Sequence, residues 1–474
     1  MLRFHLAFFL TGAAFAGSIA PFTLDLTQAG GGIVSGQTIA SGLNFPYGMA
    51  VTANGSILFG QNAPNTPYGI EGGPVTGSVW LLPKQPDGSF GAPQQVIGGL
   101  GGVVTNVQVS SDGTIVVDSG AASGRNMTLY NQSYQQLGNV SFSYPTQNWD
   151  HSTGMSLVSP QPNGSDIIYF IVGSEYDTET TTVQVAASGL FSATLNADSV
   201  YMVTVQNNGG SLRAGAPVQV ATGLRNPYGL SLDASGDLII GDNGQDGAHD
   251  PNELSADTLN LIPASQIGST LYDFGFPNSY TDFDTGQRVN GDAGATAPVV
   301  SFIPTVDGNG VLQYSEGLAG MGYVGAGAAP FVGASGGEFV GFHGVKNGAG
   351  AANYENAFEY YDFASGDYYP IVDDGAAGVG HLDTVLVSGS TLFIADMASE
   401  GTVDGTGGGE SGAIYEFDLA APEPAALWLA GPGVLWMLLR RRAGNRFSRN
   451  RACPPPKSGA PWRELPPAAS AGYG

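Results

Sequence analysis

The sequence predicts an all-β protein folded as a six-bladed β-propeller. Two observations carry the expectation. The first is composition: 73 glycines in 474 residues, only 12% charged residues, and 10% aromatic residues. That mixture suits many short strands joined by tight turns, with enough apolar side chains to build cores. The second is repetition of one strand unit along the chain, the mark of blades packed around an axis. A β-sandwich, or a pair of them, is the structural alternative.

Taken in order, the elements begin with residues 1–16, which join Arg3, an apolar run from Leu6 and the small-residue pattern Ala14-Phe15-Ala16. This reads as a secretory signal peptide. Residues 17–36 read as a lead-in and 37–421 as the propeller. Within it, "ASGLNFPYGMAVTANGSILFGQN" from Ala40 lies without a gap over "ATGLRNPYGLSLDASGDLIIGDN" from Ala221. Pro46-Tyr47-Gly48 recurs as Pro227-Tyr228-Gly229, and each is followed by a short apolar strand, a turn on Asn-Gly or Ser-Gly, and a second strand.

Weaker copies start at Thr105, His151 and His381, with a related strand pair at Gly337. Long insertions are expected around 176–197 and 245–335. "GAIYEFDL" from Gly412 is expected to pair back on early chain and close the ring.

Residues 422–442 combine Pro-Glu-Pro, an apolar run and Arg440-Arg441-Arg442. The run is shorter than the roughly 20 residues of a comfortable membrane helix, and its basic end favours the cytoplasmic side. The segment resembles the PEP-CTERM sorting signal of Gram-negative bacteria, which implies an exosortase as processing partner and transient or C-terminal membrane anchoring. Residues 443–474 read as a disordered basic and Pro-rich tail. Both ends imply export, to the periplasm, outer surface or extracellular matrix. A formal net charge of −25 argues against nucleic acid as a partner.

Between the leader and Leu419 the cations are only Lys84, Arg125, Arg213, Arg225, Arg288 and Lys346. The single Cys453 leaves the body with no disulfide and no thiolate metal site. In a propeller, polar groups at inner-strand starts converge on the central channel. His151, Arg225 and His381 stand at such starts. His151 follows Asp150, and an imidazole beside a carboxylate is suited to taking a proton near neutral pH. Alone, a histidine at a strand start is more often a satisfied structural group. Arg225-Asn226 places a forked cation and an amide before a rigid turn, where it holds an anion or caps the channel. The stretch from Gly241 to Ile262 is rich in hard oxygen donors, the ligand type of Ca²⁺, although solvated acidic loops look the same.

These stretches resemble the soluble quinoprotein glucose/sorbosone dehydrogenases, six-bladed propellers that carry pyrroloquinoline quinone and calcium. The likeness rests on "GLNFPYGMAV", "DHSTGMSLVSPQPNGSDIIYFIVGS", "GLRNPYGLSLDASGDLIIGDNG" with "DTLNLI" and "YDFGFPN", then "EFVGFHG" and "GSTLFIADM" to "SGAIYEF". It implies His151 as the base that takes a sugar hydroxyl proton, with Asp150 as its partner. It implies Arg225 polarising a quinone oxygen, Asn226 as a further group over the cofactor, and the backbone of the Asp242-Asn243-Gly244 turn presenting carbonyls to calcium; Lys346 is the other cation able to offset the charge of such a cofactor. Phe393 to Tyr415 contains no arginine, which favours the alternative, a noncatalytic surface or matrix propeller binding glycans or proteins. A calcium-dependent lactonase on the same architecture needs a carboxylate cage that the sequence does not assign.

Overall fold

The computed structural model describes residues 17–63, 76–121, 124–145, 151–152, 154–176, 184–245, 255–283, 285–291, 294–303, 305–306, 312–313, 317–326, 336–342, 358–372, 382–397 and 411–419. The leader, the sorting segment, the tail, Asp150, Lys346, His381 and the acidic residues from Asp246 to Glu253 lie outside them.

The strands assemble into six antiparallel sheets around an axis. Blade one is Tyr47–Val51, Ile57–Ala63, Thr76–Leu82 and Gln94–Gly101, and blade two is Val103–Val109, Ile115–Ala121, Gly124–Tyr130 and Gln136–Ser143. Blade three is Ser156–Pro160, Ser165–Val172, Ser199–Asn207 and Val218–Thr222, and blade four is Asn226–Leu232, Leu238–Asn243, Asp257–Ile262 and Val300–Phe302. Leu318–Gly325, Gly336–Phe342, Phe358–Asp362 and Asp367–Val372 form blade five. Thr384–Ser388, Thr391–Asp396 and Gly412–Asp418 begin blade six, which Ile33–Leu43 completes and Ser18–Asp25 extends.

That closure has a definite register. Thr38 faces Tyr415 and Gly36 faces Phe417. A Cβ on Gly36 would sit 2.4 Å from the Phe417 ring, so glycine there lets Phe417 lie flat across the seam. Phe22 caps the same seam, its ring 5.1 Å from Tyr415 and 5.2 Å from Phe417. The segment read as a lead-in, 17–36, is therefore blade structure. The reason is physical: an open last blade would leave a row of unpaired backbone groups, and the N-terminal strand satisfies them.

Neither expected insertion is simply inserted. From 176–197, Gln184–Gly189 and Ala193–Asn196 leave blade three and add to the outer edge of blade two, with Val140 facing Gly189. From 245–335, Asp257–Ile262 and Val300–Phe302 are the outer half of blade four, and Leu318–Gly325 is the inner strand of blade five.

Each blade interface has its own apolar core. Leu58 packs with Val107 and Ile115, Phe142 with Phe170, and Ile171 with Leu230 and Ile240. Around the remaining interfaces Phe302 packs with Phe342, Tyr360 with Ile394, and Phe59 with Phe393. Burying such a side chain is worth about 1.5–3 kcal/mol, so the ring is held by its interfaces as much as by its sheets.

One five-residue turn recurs in the hairpins. It closes Thr52 on Ser56, Gln85 on Ser89, Ser110 on Thr114, Asn131 on Gln135, Gln161 on Ser165 and Asp233 on Asp237. Its fourth residue has positive φ: Gly55, Gly88, Gly113, Gly164 and Gly236 fill five of these places, and Tyr134, at φ 61°, fills the other.

Candidate functional site

The six inner strands line an axial channel of about 250 Å³. Their close approach relies on small residues: a Cβ on Gly48 would lie 2.5 Å from the Asn106 backbone. The starts of the inner strands and the ends of the second strands share one rim, because the pairs are antiparallel; Asn226 faces Asn243, for example. At this rim the two copies of Pro-Tyr-Gly meet. Blades one and four are opposite in the ring, and Tyr47 and Tyr228 approach edge to face, with ring centroids 6.2 Å apart. Together with Phe45 and Met397 they form a small apolar plug over the axis.

Beside the plug, blades three and four bring His151 and Arg225 together through Ser174. Both are buried, at 7% and 4% exposure. His151 sits in a turn before its strand, its N–H donating to Ser174 O at 3.3 Å, while the Ser174 N–H donates to Arg225 O at 2.8 Å. His151 Nδ1 lies 2.8 Å from Ser174 Oγ and 3.3 Å from Ser174 O. The Ser174 hydroxyl gives its own proton to Tyr176 O at 2.7 Å, so Oγ is an acceptor toward the ring. A neutral His151 therefore carries its proton on Nδ1 and presents Nε2 as the basic nitrogen.

Asp242 serves a different purpose from its neighbours. Its Oδ2 accepts the Arg225 N–H at 3.2 Å and its Oδ1 the Asn226 N–H at 2.9 Å. In blade one, which holds no such histidine, Gln61 occupies the aligned position and accepts the Asn44 N–H at 2.8 Å. The Asp242 carboxylate is thus a clamp on the start of the inner strand. Burial pushes it up to about 7 against the pull of the Arg225 and Asn226 amides and the guanidinium. Asp198 faces it, raised to about 7 by burial and then by the Asp242 charge. Two acids so placed titrate as a pair and hold proton density near neutrality.

Gly244 is pinned by its N–H to Asp257 Oδ1 at 2.7 Å. Asn226 Oδ1 and Asn243 Oδ1, like Asp198 Oδ1, are buried and without a hydrogen-bond partner, and the first two are neutral amide oxygens on paired strands. Cross-strand partners share a face, so these are two neutral acceptors side by side. They fit a hydroxyl donor or part of a hard-cation shell. Among the described residues no group of three or more His, Cys, Asp or Glu side chains could hold a metal. The guanidinium of the buried Arg225, whose charge acts on Asp242, is of a kind that fits one oxygen of a quinone.

The structure thus gathers His151, Arg225, Asn226, Asp242, Asn243 and Gly244 at one rim. Ser174, Asp198 and the Tyr47–Tyr228 plug were missed by sequence reasoning. Only the plug left a signal, its repeated Pro-Tyr-Gly. Arg125, flagged by scarcity alone, has a different role: it pairs with Asp118 at 3.2 Å, both fully buried, and donates to Ile171 O at 2.6 Å.

No protein-family model and no curated protein sequence matches the chain. Solved structures do. The holo pyranose dehydrogenase PQQ domain from Coprinopsis cinerea is 14% identical, covering 80% of this chain and 94% of that one at a TM-score of 0.50. The PQQ-bound aldose sugar dehydrogenase from Streptomyces coelicolor is 15% identical, covering 80% and 96% at a TM-score of 0.47. The likeness is one of fold. It agrees with the six-bladed, all-β propeller expected from the repeats.

Proposed function

We propose that this chain is an exported dehydrogenase-like propeller acting on a sugar or other alcohol. The observation that carries the reading is that Ser174 fixes the tautomer of the buried His151 and, through its N–H, holds the backbone carbonyl of the buried Arg225 at the same rim. His151 Nε2 takes the hydroxyl proton, and Ser174 holds the ring in the required orientation. Arg225 places positive charge where negative charge develops on oxygen, and Asn226 orients the bound molecule. Pyrroloquinoline quinone, when bound, supplies the hydride acceptor, with Arg225, Asn226 and Lys346 as the residues to hold it. Calcium would rest on the Asn243 amide and neighbouring turn oxygens, since the Asp242 carboxylate clamps backbone. Asp150 is the proposed second partner of His151. Export follows from residues 1–16, and residues 422–442 are the substrate of an exosortase.

Purified protein titrated with the quinone and Ca²⁺ should reduce a dye in the presence of an aldose. His151→Ala should cut turnover by roughly 10²- to 10⁴-fold with an unchanged urea midpoint. Absence of quinone binding and of dye reduction over an aldose panel overturns the proposal. One feature favours the second reading, a noncatalytic glycan- or protein-binding propeller: Thr391–Asp396 and Gly412–Asp418 bring no arginine to the rim. In that case His151→Ala binds its partner as the wild type does.

A further inference from the structure

At the opposite end of the channel from His151, where the inner hairpins turn, blades one and two part around a hollow of about 590 Å³. Small-molecule sites commonly fall in this range. Its floor includes Leu58 and Ile115, and its rim includes Asn54, Ser111 and Tyr134. No charged side chain lines it, although the chain as a whole carries a net charge of −25.

Tyr134 is the unusual member of this rim. Five turns of the same type place glycine at the position of positive φ, and this one places tyrosine at 61°. A bulky side chain is disfavoured in that region, and such an outlier is a reason to look for a function. The ring is half-buried against the apolar core between blades one and two. The remaining rim is stiff. Asn54 Oδ1 accepts from Thr52 Oγ1 at 2.6 Å and from the Ser56 N–H at 3.2 Å, so its amide N–H groups are what it offers outward. Gln132 is tied to Asp112 O at 2.8 Å, and Ser110 to Asp166 at 2.7 Å.

The geometry points to a second site, a cleft that binds a neutral saccharide with an apolar sugar face on the Tyr134 ring and hydroxyls on Asn54 and Ser111. An aromatic platform with uncharged hydrogen-bonding groups suits a neutral polyol, and the lack of a lining cation disfavours an acidic one. The fixed rim keeps the ordering cost of binding low. Nothing in this depends on the chemistry proposed for His151.

The test is titration calorimetry on the full chain with cellotetraose, maltotetraose and xylotetraose, and with tetragalacturonate as the charged control. One neutral tetrasaccharide should bind, and His151→Ala should leave its affinity unchanged. Tyr134→Gly should weaken binding at least about tenfold while leaving the urea midpoint unchanged or raised, because glycine suits the turn. Tyr134→Phe should keep affinity within about threefold, retaining the aromatic face. The proposal is overturned if no neutral tetrasaccharide binds the wild type at millimolar concentration, or if Tyr134→Gly binds equally well. It is also overturned if His151→Ala abolishes binding, if tetragalacturonate binds best, or if Tyr134→Gly lowers the urea midpoint, which would make the ring a core filler.

Discussion

Ser174 ties His151 to the Arg225 backbone at the rim, accepting from the His151 ring and donating its N–H to Arg225 O. Ser174→Ala removes the acceptor that fixes Nδ1–H, so turnover on an aldose should fall by roughly 10²-fold. The free energy of unfolding in urea should fall by only about 1 kcal/mol, the cost of an ordinary hydrogen bond. Equal turnover in the variant would remove Ser174 from the site. Arg125 marks the contrasting case of a buried cation that is structural. Asp118 accepts from it and from the Ser156 hydroxyl, while Arg125 lies over the Phe142 ring at 4.7 Å. Arg125→Ala leaves Asp118 buried without its cation and should cost about 3–5 kcal/mol in urea unfolding. Scarcity of cations in the sequence drew notice to Arg125 and Arg225 alike. Their settings tell them apart: Arg125 is closed off by Asp118 and the Ile171 carbonyl, whereas Arg225 stands at the rim, where its backbone carbonyl accepts the Ser174 N–H and its charge acts on Asp242.

Among the elements, the hairpins were the most legible. Asn54, Asp87, Asp112 and Asn163 each accept the N–H two residues on, an interaction local enough to be written in five letters of sequence. Leu318–Gly325 shows the opposite case. Its "LAGMGYVG" carries no strand-like alternation because it must pass close to blade six: a Cβ on Gly320 would lie 2.4 Å from Asp383 O, and one on Gly322 2.8 Å from Val387. Packing replaced the apolar pattern with glycine, and the strand reads as insertion. The closing strand is another long-range element. Removing residues 17–43 exposes the backbone edge of Gly412–Asp418 together with Phe417 and Tyr415. Such a truncation should aggregate and lose cooperative urea unfolding, as followed by size-exclusion chromatography and fluorescence. A monomer with the wild-type midpoint would show that the ring closes without it.

For the whole molecule, the buried acids set the pH response. Burial, reinforced by Asp257, raises Glu359 to about 8. Burial likewise drives Glu338 well above its ordinary value, against the pull of the neighbouring Ser231 hydroxyl. With Asp198 and Asp242 near 7, the folded chain binds more protons than the unfolded one across the interval from about pH 4 to 8. The stability these groups contribute is fully present below the unfolded carboxylate range and lost as pH rises through 7 to 8. Growing repulsion in a chain of net charge −25 acts in the same direction. The urea midpoint should therefore be higher at about pH 5.5 than at about pH 8.5; a flat or rising midpoint contradicts this account.

By itself the sequence determined the all-β class, the repeating unit with its turn chemistry, and the residues to suspect, His151 and Arg225. Those features are local: a turn is decided within five residues, and a strand pair within some twenty. Tertiary structure decided the rest. It set the N-terminal strand into the last blade, Tyr47 against Tyr228 across the axis, Ser174 between the His151 ring and the Arg225 backbone, and the Asp242 carboxylate onto backbone instead of outward. Each of these is a contact between residues distant in the chain, and its energy depends on burial and partners that exist only after the ring has closed.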